Sequence, residues 1–231
     1  MGCSRPRTSR VSSFVWVLEG SIPPMRTTAT PRKRRYQRTQ QAILEAASDI
    51  IRNEGIGALS MRSLAERIDY SPAGLYEYYS GKEEIVAAVC QVAFDQLAAM
   101  LRSTDPALPP GDFLRECGLN YVRFATENTD AFLLAFTYLP LHAAAAQPDT
   151  DSAAQLRASP AFKVLQEAVE RCVAAGLFQE RPGWGVFEMS MACWQMVHGV
   201  AMLAVTVLRQ QPGLDLSRRA IEVLQAGLAA R

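Results

Sequence analysis

The chain has 231 residues, 49% of them hydrophobic and 20% charged, with a formal net charge of +1, a composition that excludes a chain disordered throughout, a collagen-like repeat and a small disulfide-rich scaffold. The near-neutral total hides a division, because residues 1–38 carry nine Lys and Arg and one acid, a net of +8, and the remainder a net of −7. A basic segment on a mildly acidic body points to a polyanion at the N-terminal end.

Residues 1–38 are rich in Arg, Ser, Thr and Pro, and their one apolar patch, Phe14-Val15-Trp16-Val17-Leu18, is too short for a signal-peptide core or a membrane span. A disordered basic arm is expected here, with Arg35 of the run Arg32–Arg38 meeting phosphates; Met25 is an alternative start of translation. A helix follows from Thr39 to Glu54, its inner stripe formed by Ile43, Ala46, Ala47, Ile50 and Ile51 and its end marked by Gly55-Ile56-Gly57. Ser60 caps a two-turn helix whose inner face is Leu64 and Ile68. Asp69-Tyr70-Ser71 breaks it, and Ser71-Pro72 opens a second short helix ending near Tyr79, with Leu75 and Tyr79 facing inward.

Two helices joined by a tight turn form the helix-turn-helix pattern, in which the second helix enters the DNA major groove. Ala73 and Gly74 allow close backbone approach to bases, Tyr76, Tyr78 and Lys82 supply hydroxyls and a cation for phosphates, and Arg62 projects from the first helix. The next helix runs to about Arg102 through Ile85, Val89, Val92, Gln96 and Met100 and links this reading head to whatever follows.

Asp105-Pro-Ala-Leu-Pro-Pro-Gly111 is the clearest break in the chain. Beyond it the pattern predicts a helix over 112–126, a short one over 128–138, a loop over 143–151, a helix opened by Ser159-Pro160, an apolar helix over 184–209 and an amphipathic helix over 214–230. Twenty residues without a formal charge, Met189 to Leu208, are long enough to span a membrane, but Ser190, Gln195, His198, Gly199 and Thr206 make a poor lipid-facing surface. A helix apolar all round is equally expected where one face meets the core and the other a second subunit. Two such helices from each of two chains would make a four-helix interface. Phe94, Tyr121, Phe124, Phe132, Phe187, Met191 and Trp194 are candidates to line a cavity for a small, mainly apolar ligand. His198, alone in the apolar helix, is a candidate ligand contact or switch.

Ala42-Ile43-Leu44-Glu45-Ala46-Ala47, the Gly55 turn, Leu59-Ser60-Met61-Arg62, Leu64-Ala65 and Leu75-Tyr76-x-Tyr78-Tyr79-x-x-Lys82-Glu83 resemble the N-terminal domain of TetR-family transcription regulators. Asp69 departs from the glycine usual at the turn, and Tyr79 from the usual phenylalanine. Trp194…His198-Gly199 resembles a signature of one subgroup of TetR-like ligand-binding domains. The resemblance implies an all-α fold with a three-helix DNA-binding domain over 39–84 and a helical ligand-binding and dimerisation domain over 85–231. It implies a cytoplasmic homodimer that binds double-stranded DNA at a palindromic operator, most often as a repressor released by an effector. By the same resemblance the DNA-binding residues are Arg35, Arg62, Ser71, Pro72, Ala73, Gly74, Tyr76, Tyr78 and Lys82. The alternatives are a constitutive DNA-binding protein or a helical adaptor without an inducer. The sequence holds no GxSxG, HExxH, Walker-type loop or GxGxxG, so no enzyme is expected. The five cysteines (Cys3, Cys90, Cys117, Cys172, Cys193) lack any CxxC and read as reduced thiols, with neither metal nor cofactor expected.

Overall fold

A computed structural model of the chain describes residues 30–138, 152–208 and 214–228, and they form an all-α protein. In order these are α1 (Pro31–Glu54), a 3-10 turn (Ile56–Ala58), α2 (Met61–Arg67), α3 (Pro72–Leu75), α4 (Lys82–Arg102), α5 (Pro110–Glu127) and α6 (Thr129–Leu133), which runs into a π-helical turn (Leu134–Tyr138). There follow α7 (Ser152–Ala158), α8 (Pro160–Ala174), α9 (Val186–Thr206) and α10 (Leu214–Leu228). The expected loop at 143–151, the apolar patch at 14–18 and Cys3 lie outside the described residues.

α1 starts at Pro31, not at Thr39, so the basic run at 32–38 is helical where a disordered arm was expected. The cause is local. Thr30 accepts from the Arg34 N–H through its carbonyl at 3.0 Å and from the Lys33 N–H through Oγ1 at 3.4 Å, with proline in the first turn, where its missing N–H costs nothing. Two compact units divide within this helix, Met1–Thr39 and Gln40–Arg231.

Within the second unit, one core collects Ile43, Ala47 and Ile50 of α1, Leu59, Leu64 and Ala65 around α2, Leu75 and Tyr79 around α3, and Ile85, Val86, Val89 and Cys90 of α4. Ile43, Ile50, Leu64 and Leu75 are wholly buried, each stabilising the head by roughly 1.5–3 kcal/mol relative to an exposed side chain. α2 is fixed by a reciprocal cap: Ser60 Oγ accepts from the Ser63 N–H, and Ser63 Oγ accepts from the Ser60 N–H, both at 3.0 Å. α3 is shorter than expected, ending at Leu75 with Tyr76–Tyr78 continuing as turns.

The other core is built on α5, which packs against α4, α8, α9 and α10. Phe113, Cys117, Tyr121, Phe124 and Ala125 of α5, which recur at helical spacing, are buried in it. α4 belongs to both cores, with Ile85–Cys90 in the first and Ala93–Leu101 in the second. The π-helical turn is shared too: Leu134 and Ala135 are buried in the head core, and Phe136 packs against both. α4 and α9 are long and apolar enough to cross a membrane by length and composition alone. Core helices pass the same test, and both pack into these cores, so neither is evidence for a membrane protein.

Candidate functional site

Two places collect the candidate residues, α2–α3 with the start of α4, and a cavity in the body. Ser71 Oγ accepts from the Gly74 N–H at 3.0 Å and Pro72 occupies the first turn, which sets the entry of α3. Ser71, Pro72, Ala73 and Tyr76 are exposed, Tyr76 to 58%, whereas Gly74 and Tyr78 are half-buried. Leu75 and Tyr79 anchor the opposite side in the core, so α3 offers a face of small and tyrosyl residues outward. Arg62 is exposed on α2 and pairs with Glu66 at 3.0 Å, a surface pair worth little that an incoming phosphate can replace. Arg35 is exposed on α1.

Lys82, expected to offer a cation to phosphates, is also bonded within the head. Its Nζ donates to the Ile56 carbonyl at 2.8 Å, half-buried, and so ties the start of α4 to the turn ahead of α2. An ammonium carries three donors, so this bond leaves capacity for a phosphate. Beside it, the Ser80 N–H donates to the Glu84 carboxylate at 2.6 Å and, with the Ser80 hydroxyl, holds that carboxyl below the usual range.

The body cavity, about 80 Å³, is large enough for several water-sized spheres. Its wall includes Phe94, Tyr121 and Trp194 of the predicted set, joined by Leu97, Phe136, Phe162, Cys193, Val197 and Gln225, and none of its lining residues is Asp, Glu, Lys, Arg or His. Phe124, Phe132, Phe187, Met191 and His198 do not line it. Phe124 and Phe132 are buried core. Phe187 packs edge-on against Phe162 with the Arg157 guanidinium 3.9 Å above its ring. On α9 the candidate positions 187, 191, 194 and 198 run beside the strip that faces the cavity, which is 193, 194, 196 and 197.

His198 stands behind the wall. Trp194 Nε1 donates to Tyr121 Oη at 3.3 Å, and Tyr121 Oη lies 2.9 Å from His198 Nδ1. Burial raises the Tyr121 phenol well above its ordinary pKa and lowers that of His198, so the phenol keeps its proton and donates it to Nδ1. The imidazole is then neutral with its hydrogen on Nε2. Phe132, Phe136 and Trp194 surround the ring at centroid distances of 5.6, 4.9 and 5.6 Å. Sequence reasoning missed Phe136, although it lies four residues after Phe132 on a helical pattern. The thiols of Cys90 and Cys193 are pushed up to about 12, and that of Cys172 to about 11, by burial.

A three-helix head whose short third helix is exposed, carried on a helical body, is the organisation of a helix-turn-helix DNA-binding protein. The family model described as bacterial regulatory proteins, tetR family, matches residues 43–89, and that described as tetracyclin repressor-like, C-terminal domain, matches residues 114–226, together more than half of the chain. The chain belongs to the TetR family of DNA-binding transcription regulators, which are not enzymes. No curated protein matches it in sequence. Among solved structures it is similar to a TetR family transcription regulator from Marinobacter aquaeolei VT8, with 21% identity, a TM-score of 0.62, and coverage of 86% of this chain and 99% of that one. A protein with unknown function from Rhodococcus sp. RHA1 gives 19%, 0.67, 83% and 95%. The TetR family transcriptional regulator PfmR from Thermus thermophilus gives 21%, 0.55, 88% and 100%. At these identities the likeness extends to the fold alone.

Proposed function

We propose that this regulator is a cytoplasmic homodimer that represses transcription from a palindromic operator and releases it when a small, uncharged, mainly apolar effector fills the body cavity. One observation carries the reading: Phe136 is at once part of the cavity wall and packed against the head core, one residue after the buried Leu134-Ala135 pair. A ligand that displaces this ring disturbs the π-helical turn and α4 together, and α4 is bonded to the reading head through Lys82. The distance between two heads then no longer matches half-sites near one helical turn apart or somewhat more. Only a difference in ligand affinity between the two states is needed, on the order of 1–3 kcal/mol. The effector is uncharged because an ion would enter a wall without a charged partner. The open cavity favours this reading over a constitutive binder or an adaptor. For the dimer, Leu203 on α9, Val207 just after it and Val223 on α10 are 51, 73 and 70% exposed, apolar surface suited to a second copy.

The test uses N-phenyl-1-naphthylamine, an uncharged apolar fluorophore. Saturable binding that weakens the affinity for a selected duplex by about fivefold or more supports the proposal. Binding that leaves DNA affinity unchanged, or no binding, refutes the ligand response.

A further inference from the structure

The α2–α3 connection contains an arrangement that groove contact by α3 alone does not require. α2 closes with the Tyr70 N–H donating to the Ala65 carbonyl at 2.9 Å, and Asp69 takes φ 52°, the left-handed conformation in which glycine is the usual occupant. That step turns Tyr70 back over α3. A Cβ at Gly74 would stand 2.6 Å from Tyr70 Cε1 and 3.0 Å from the capping Ser71 Oγ, so the glycine is the seat of the Tyr70 ring. Tyr70, Gly74 and Tyr78 fall at successive spacings of four. The rings of Tyr70 and Tyr78 meet edge-on at 6.2 Å, and their hydroxyls approach to 3.5 Å.

Each local choice is unfavourable for folding alone. Asp69 is in a conformation that side chains avoid, α3 carries a glycine, and a large aromatic ring is left 40% exposed at a turn. All three converge on one result, a phenol hydroxyl held beside that of Tyr78 in the turn that follows the reading helix. We propose that Tyr70 is a further DNA contact: seated on Gly74, it supplies the side chain that position 74 lacks, and with Tyr78 it addresses one acceptor atom of the duplex. An acceptor about 2.7–2.8 Å from both oxygens fits their separation. That acceptor is a phosphate oxygen or a base-edge oxygen, and the two sources differ in what they specify.

The test uses the full chain, a duplex selected by the wild type, and three variants: Tyr70→Phe, Gly74→Ala, and Tyr70→Val with Gly74→Ala. Tyr70→Phe keeps the ring and its seat, and the expected result is binding weakened by about 5- to 10-fold with an unchanged melting temperature. Gly74→Ala displaces the ring and weakens binding at least as much. The double variant relieves the clash and keeps wild-type stability, yet binds no better than Tyr70→Phe. A repeat of the selection separates the sources: a relaxed preference at one symmetric pair of positions identifies a base edge, and a uniform loss with preferences intact identifies a phosphate. Tyr70→Phe with wild-type affinity and wild-type preferences overturns the proposal and leaves the ring a packing element only.

Discussion

Replacing Tyr121 by Phe removes one oxygen that serves two partners. The ring stays in its buried place between α5 and α9, but Trp194 Nε1 loses its acceptor and His198 Nδ1 its donor. Each net hydrogen bond contributes about 1 kcal/mol, and a buried donor left unpaired costs about 1–3 kcal/mol, so the loss is about 2 kcal/mol. For a chain of this size that lowers Tm by roughly 4–8 °C. Urea titration with an unchanged m-value reads the free energy directly. The pH dependence provides a second reading. His198 has a folded pKa lowered by burial from 6.5, so the unfolded chain binds the proton more readily. The stability this contributes is fully present above pH 6.5 and is lost as pH falls through the lowered folded value. In Tyr121→Phe the bond favouring the neutral ring is gone, so the acid-side slope flattens. A variant within about 0.5 kcal/mol of wild type, with the same acid-side slope, would refute the Trp194–Tyr121–His198 connection.

Lys82→Met removes the tie from α4 to the Ile56 carbonyl, and the expected outcome is a stability loss on the order of 1 kcal/mol together with weaker DNA binding, read by denaturation and by fluorescence anisotropy. Neutralising Arg32, Lys33, Arg34, Arg35 and Arg38 flattens the plot of log K against log salt by about 0.9 for each phosphate that these cations had neutralised; an unchanged slope would mean that they do not meet the backbone. Leu165 also lines the cavity, so Leu165→Trp puts an indole into its wall, and the expected result is a loss of N-phenyl-1-naphthylamine binding by roughly tenfold or more while dye-free DNA affinity is kept. Undiminished dye binding would place the dye elsewhere.

The helices whose apolar faces repeat at three and four were legible from the sequence, and so were the caps at Ser60, Ser71-Pro72 and the Ser159-Pro160 start of α8. Thr30-Pro31 carries the same cap signature but was hidden by the run of like charges after it, which favours an extended arm unless solvent screens the repulsion. The cavity was legible as aromatic composition on α5 and α9 but not as a face. On α9 the stripe through 187, 191, 194 and 198 is as regular as the strip through 193 and 197, and only the placement of α5, α8 and α10 decides between them. Gly74 was expected beneath a base, whereas its lack of a side chain is explained by the Tyr70 ring, a contact set by the φ of Asp69 that no periodicity reports. Phe136 stands four residues after Phe132, a helical spacing that was visible, but nothing in that spacing reports that the π-helical turn at 134–138 packs its ring against both cores.

Selection of bound duplexes from a random pool by the purified chain tests the two-fold, DNA-reading assembly most directly. The expected winner is an inverted repeat with half-sites about one helical turn apart or somewhat more, occupied by two chains. Recovery of unrelated sequences, or of a single half-site bound by one chain, would contradict it.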